Sequence, residues 1–133
     1  MKFCTDTGFI LAVFDNDVTS LSYIQEAKTG KTKLIIPIIV LAEATKKLMQ
    51  RGVAKEIIEE FWDTIESSNK ISLINIDRII ANEAAKLSLS YSLALIDALV
   101  AATAKLTDCS TIFTSDSDYK LLVKKGYIKV KSW

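Results

Sequence analysis

Histidine is absent from this chain of 133 residues. No Ser-His or Cys-His nucleophile pair can be built, and no imidazole is present to ligate zinc or shuttle protons. Cysteine is scarce: Cys4 and Cys109 sit alone, each beside apolar or β-favouring residues. Two isolated cysteines make neither a disulfide framework nor a zinc ligand set, and they read as buried free thiols in a reducing compartment. With one proline and four glycines, the chain shows no linker, low-complexity tract or internal repeat. The longest uncharged apolar run is about ten residues, too short to span a bilayer. The start, Met1-Lys2-Phe3-Cys4-Thr5-Asp6, meets charge too early for a signal peptide. A soluble, cytoplasmic protein with no membrane partner is expected. Neither sign of charge dominates, with 17 basic and 16 acidic residues. That argues against a bulk polybasic nucleic-acid binder and leaves room for a local basic patch. Any chemistry must rest on carboxylates, hydroxyls, lysines or a metal held by oxygen.

What is present is apolar and regularly patterned. Half of the residues are hydrophobic, enough for a sizeable core in one domain spanning 1–133. Strand-like runs at Lys2–Thr5, Lys33–Ile36, Ile71–Ile76, Ser110–Thr114 and Tyr127–Val130 alternate with helical ones. The helical segments are Thr7–Phe14, Val18–Thr29, Pro37–Gln50, Ala54–Ser67, one after Asp77, Leu93–Leu106 and Asp116–Lys125. Pro37 is expected to open its helix, and Asp15, Asp17 and Asp77 to act as caps. Ile57, Ile58, Phe61, Trp62 and Ile65 recur at helical spacing. This alternation predicts an α/β fold, a mainly parallel sheet of about five strands covered on both faces. In such folds ligands bind beyond the carboxyl ends of the strands, where strand order reverses. Asp6 and Asp116 fall at such ends.

Most acids have an ordinary explanation. Glu56, Glu59, Glu60, Asp63 and Glu66 lie on or beside the polar side of an amphipathic helix. Four carboxylates do not fit that account. Glu43 follows a run of apolar residues, and Asp97 stands alone within Leu93-Ala94-Leu95-Ile96-Asp97-Ala98-Leu99-Val100-Ala101-Ala102. Asp6 and Asp116 each follow a buried-looking strand. A carboxylate withdrawn from water costs several kcal/mol unless it is paired or binds a cation. The chain has only Arg51 and Arg78 for bidentate pairing. If the four acids meet one another, their repulsion calls for a divalent cation, and oxygen ligands alone favour Mg²⁺ or Mn²⁺.

The ordered set Asp6-Thr7, Val40-Leu41-Ala42-Glu43, Leu95-Ile96-Asp97-Ala98-Leu99-Val100-Ala101-Ala102-Thr103-Ala104 and Thr114-Ser115-Asp116-Ser117-Asp118-Tyr119 resembles the PIN domain family. Within it, the VapC-type toxins of toxin–antitoxin pairs are the most similar group. The resemblance spans nearly the whole chain. Gly8, Ser115 and Tyr119 depart from the usual pattern without removing an acid. The resemblance implies a three-layer α/β/α sandwich and a ribonuclease dependent on one or two Mg²⁺ or Mn²⁺ ions. It maps Asp6, Glu43, Asp97 and Asp116 onto the metal-binding, catalytic acids, with Asp118 as an auxiliary metal carboxylate. Thr114 and Ser115 become supporting hydroxyls, and Thr7 a support for Asp6. A cognate antitoxin and a homodimer are the implied protein partners.

Hydrolysis of an RNA phosphodiester is the expected reaction, with Glu43 ligating metal or orienting the attacking water. Lys46, Lys47, Arg51 and Lys120 are candidates to hold RNA phosphates. Tyr91, Tyr119 and Trp133 are aromatic residues able either to stack bases or to pack in the fold. Other readings stay open on sequence alone. Asp6-Thr7-Gly8 matches the triplet of an aspartic protease, although no second copy follows. A receiver domain also carries aspartates at strand ends, with Asp77 a weak acceptor candidate. A catalytically silent binding module and a housekeeping RNA-processing nuclease of the same fold complete the set.

Overall fold

In a computed structural model describing residues 1–133, five strands form one sheet. They are β1 (Lys2–Thr5), β2 (Lys33–Pro37), β3 (Ile71–Ile74), β4 (Thr111–Phe113) and β5 (Lys129–Lys131). Every pairing is parallel, and the spatial order is β3-β2-β1-β4-β5. The chain therefore builds outward from β1 in one direction, then crosses back to build outward in the other. The reversal lies between β1 and β4. Their carboxyl ends diverge into separate connections there, which leaves a crevice.

Successive residues of a strand point to opposite faces. Phe3, Cys4 and Thr5 are all buried, as are Leu34 to Pro37 and Thr111 to Phe113. The central strands are thus covered on both sides, giving three layers. On one face Phe113 stacks on Phe3 and Phe9 at ring separations of 4.5 and 5.1 Å, with Tyr23 at 4.4 Å. This brings α1 (Thr7–Phe14) and α2 (Val18–Lys28) onto that face. On the other, the Cys4 thiol approaches the Val100 carbonyl of α6 (Leu95–Leu106) at 4.0 Å. The remaining helices are α3 (Ile38–Gln50), α4 (Lys55–Ser67), α5 (Arg78–Tyr91) and α7 (Lys120–Lys124). Strand β5 is an exposed edge whose Lys129 and Lys131 discourage further strand pairing.

Local chemistry explains most element boundaries. Asp17 caps α2 by accepting from the Ser20 N–H at 2.8 Å, and Asp77 caps α5 through the Ile80 N–H at 2.8 Å. Asp15 does not cap a helix start. It ends α1 and pairs with Arg51 at 3.1 Å. Pro37 does not lie in the first helical turn either. Its ψ of 139° is extended, it pairs with Ile74 at the end of β2, and it stands as the residue before α3. The segment beginning at Asp116 is a single 3₁₀ turn, Ser117–Tyr119, followed by the short α7, because the Asp116 carboxylate caps it tightly at the Asp118 N–H. The last strand begins two residues later than expected, where Lys129 can pair with Thr111. Ile57 is 54% exposed, whereas Ile58, Trp62 and Ile65 are buried. Cys4 and Cys109 are buried free thiols.

These facts remove two of the sequence readings. Asp6 ends a parallel strand and enters a helix, which is not the strand-to-strand loop of an aspartic protease. Asp77 is engaged in capping, beyond the far strand β3, so it offers no phospho-acceptor site. The aromatic stack around Phe113 should dominate stability. Phe113→Ala is expected to cost about 3–5 kcal/mol in urea unfolding, with the denaturant slope unchanged.

Candidate active site

The crevice between β1 and β4 is a cavity of about 290 Å³. Asp6, Thr7, Glu43, Asp97, Ser115 and Asp116 all line it, together with Lys47 and Tyr119. Four separate elements deliver these side chains. Asp6 follows β1 and Asp116 follows β4. Glu43 projects from α3 and Asp97 from the first turn of α6.

Asp6 is held from two sides. Its Oδ1 accepts from the Phe9 N–H at 3.2 Å, capping α1. Its Oδ2 accepts from the Thr114 hydroxyl. The same Thr114 oxygen accepts from the Asp116 N–H at 2.9 Å. One hydroxyl, buried at the end of β4, therefore ties the two strand ends together. Thr7 was expected to support Asp6. Its hydroxyl instead donates to Glu43 Oε1, because the first turn of α1 turns it toward α3. Ser115 is exposed in the cavity wall and makes no hydrogen bond to an acid.

The tightest acidic group is Asp97, Asp116 and Asp118, whose oxygens lie within 4.8 Å of one another. Asp118, read from sequence as auxiliary, belongs to this group. Asp6 and Glu43 share the cavity but stand outside it. The electrostatic consequence falls on Asp97, whose carboxyl is pushed up to about 6. Burial is the main cause, followed by the charges of Asp116 and Asp118. Burial also raises Asp6, opposed by its bonds from Thr114 and Phe9.

Tyr119 is the residue that sequence reasoning undervalued. It is 1% exposed, and its hydroxyl donates to Asp97 Oδ1 at 3.4 Å. Burial and the Asp97 charge raise its own ionisation, so it stays a neutral donor. The signal in the sequence was a tyrosine where phenylalanine is usual. Tyr119 therefore packs in the fold and is not a free stacking surface. Of the basic candidates, Lys47 reaches the acidic cavity. Arg51 is tied to Asp15 beside it. Lys46 and Lys120 are exposed.

The donor set suits a hard divalent cation. It is all oxygen, carries several negative charges in a small volume, and has one member already driven toward protonation by burial and by its neighbours' charges. A bound dication would relieve that repulsion, with Asp97, Asp116 and Asp118 as the nearest ligands and Asp6 beside them.

The family model described as PIN domain matches residues 3–125. Among curated proteins, none matches the chain in sequence. Solved structures share the fold. VapBC2 from Rickettsia felis, bound to a DNA fragment from its promoter, is 16% identical with a TM-score of 0.75, covering 100% of this chain and 99% of its own. A toxin–antitoxin complex from Klebsiella pneumoniae is 20% identical with a TM-score of 0.68, covering 87% and 88% respectively. VapC20 from Mycobacterium tuberculosis, a toxin that cleaves the sarcin–ricin loop, is 15% identical with a TM-score of 0.70, covering 90% and 93%.

The raised carboxyl of Asp97 has a definite sign in stability. Between the ordinary value near 4 and about 6, the folded state holds the proton more firmly than the unfolded chain. Stability from this group is therefore greatest below that window and is lost as pH rises through it. In EDTA, the melting temperature should be higher at pH 5 than at pH 7. Asp97→Asn should raise it by a few degrees at pH 7 and flatten the dependence, as read by differential scanning fluorimetry.

Proposed function

The chain belongs to the PIN domain family, and from that premise we propose that it is a Mg²⁺- or Mn²⁺-dependent endoribonuclease, the toxin of a VapBC-type toxin–antitoxin pair. The observation that carries this reading is the acidic cavity at the strand-order reversal, lined by Asp6, Glu43, Asp97 and Asp116, with Asp118 close to the last two. The similar structures support the toxin assignment, since one is a toxin–antitoxin complex and another a toxin that cleaves the sarcin–ricin loop. A cognate antitoxin, a homodimer and a cytoplasmic location follow as parts of the proposal. No helix of the chain is long and apolar enough to cross a membrane.

When bound, a divalent ion in such a site lowers the pKa of a coordinated water and offsets charge on the phosphate. Asp97, Asp116 and Asp118 are the side chains proposed to hold it, with Asp6 completing the set. Tyr119 fixes the orientation of Asp97 through its hydroxyl. Thr114 fixes Asp6, and Thr7 fixes Glu43 Oε1. Glu43 Oε2 is then the atom proposed to orient the attacking water and accept its proton. Lys47 lies at the cavity wall, where its ammonium can meet a phosphate oxygen of the strand. Lys46 and Lys120 are proposed to contact phosphates further along, whereas Arg51, paired with Asp15, lines a neighbouring cavity.

The test is cleavage of a mixed RNA pool by purified protein freed of any antitoxin. Cleavage should require Mg²⁺ or Mn²⁺ and stop in EDTA. Asp97→Asn should lower the rate by at least about 100-fold while circular dichroism stays unchanged. A folded, fully active Asp97→Asn protein would exclude the assignment. Tyr119→Phe removes only the hydrogen bond to Asp97 and should reduce activity by about 10-fold, with the loss partly recovered at higher metal concentration.

A further inference from the structure

Gly8 was incidental in the sequence, and the fold gives it a use. A Cβ built at this position would lie 3.0 Å from Cη2 of Trp133. No positive φ is involved, so the glycine serves close approach alone. The indole ring rests against the first turn of α1, and its position is fixed by an edge contact to Phe9 at 5.9 Å between ring centroids, near perpendicular at 85°. Trp133 is only half-buried. The ring forms one wall of a second cavity, of about 510 Å³. Gly8 and Ser115 line both this cavity and the acidic one, so the two are contiguous.

The chemistry of the second cavity differs from that of the first. Leu11 and Ala12 supply an apolar floor. Asp15 and Asp17 stand at its rim, and the one cation there, Arg51, is already paired with Asp15. A phosphate would meet two carboxylates and no free cation, which opposes it. A nucleobase is neutral and flat. It can stack on the indole, lie on the apolar floor, and offer amine hydrogens to the carboxylates.

We propose that this cavity seats a base of the RNA strand, stacked on Trp133, next to the phosphodiester held in the acidic cavity. The proposal rests on the nuclease reading for the identity of the strand. It makes Trp133 a substrate-binding residue and Gly8 the position that lets the ring come close.

The experiment measures binding of a labelled, mixed-sequence single-stranded oligoribonucleotide in Mg²⁺, using the Asp97→Asn protein so that the probe stays intact. Added to that background, Trp133→Ala should weaken binding by about 10-fold or more, and Trp133→Phe should retain most of it. An oligomer of the same length made of abasic ribose phosphates should bind equally to all of these proteins. Equal affinity of the folded Trp133→Ala protein for the oligoribonucleotide overturns the proposal. So does an equal loss on the abasic oligomer, which would mean that the ring supports the backbone path or only the fold. Cleavage by the protein with native Asp97 is followed in parallel. Cleavage with binding indifferent to Trp133 overturns the base site and leaves the nuclease reading standing. Binding that depends on Trp133 without any cleavage supports the base site and removes the nuclease reading.

Discussion

Mutual repulsion among carboxylates is the constraint that the rest of this molecule is arranged around. Asp97, Asp116 and Asp118 bring their oxygens within 4.8 Å of one another, with Asp6 and Glu43 in the same cavity. Left to themselves, flexible acidic side chains would spread apart into water. Here four of the five are restrained by a donor. Thr114 and the α1 amide hold Asp6, Thr7 holds Glu43, Tyr119 holds Asp97, and the Asp118 amide holds Asp116. The donors are hydroxyls and backbone amides, not arginines. They fix the acids without cancelling their charge, which leaves that charge available to a cation.

This arrangement depends on a rigid base. Strands β1 and β4 pair side by side, with Thr5 opposite Phe113. The Asp6 amide donates to the Phe113 carbonyl at 3.2 Å, so the first acid leaves the sheet in a set direction. Phe113 is itself locked between Phe3 and Phe9. The aromatic core under the crevice and the acids above it are thus one mechanical unit. The same logic extends to the rim. Phe9 on the core side meets Trp133 edge-on, which passes the position of the core to the second cavity.

Two neighbouring cavities share Gly8 and Ser115 in their walls. One gathers negative charge and admits Lys47. The other offers an aromatic wall, an apolar floor and carboxylates at its rim. The absence of histidine fits as well, since Glu43 in the cavity is a carboxylate able to accept a proton.

Much of this was legible in the residues themselves. The alternation of β-rich and amphipathic runs determined an α/β fold with parallel strands, because those periodicities are local properties of the chain. Asp97 and Glu43 stood out because a lone acid in an apolar helix carries a desolvation cost that demands a reason. Tertiary structure decided the rest. Thr114 and Asp6 are 108 residues apart, and only strand pairing shows that one hydroxyl joins them. Thr7 chose Glu43 over Asp6 through the direction of the first helical turn, which spacing does not reveal. Asp118 became a full member of the acidic group because a 3₁₀ turn folds it back on Asp116. The meeting of Gly8 with Trp133 has no local signature at all, since a missing side chain acquires meaning only when another part of the chain occupies the space. Sequence determines what each residue can do within its own turn or strand; which groups share a few ångströms is settled by long-range packing, where charge, hydrogen bonding and close approach take effect.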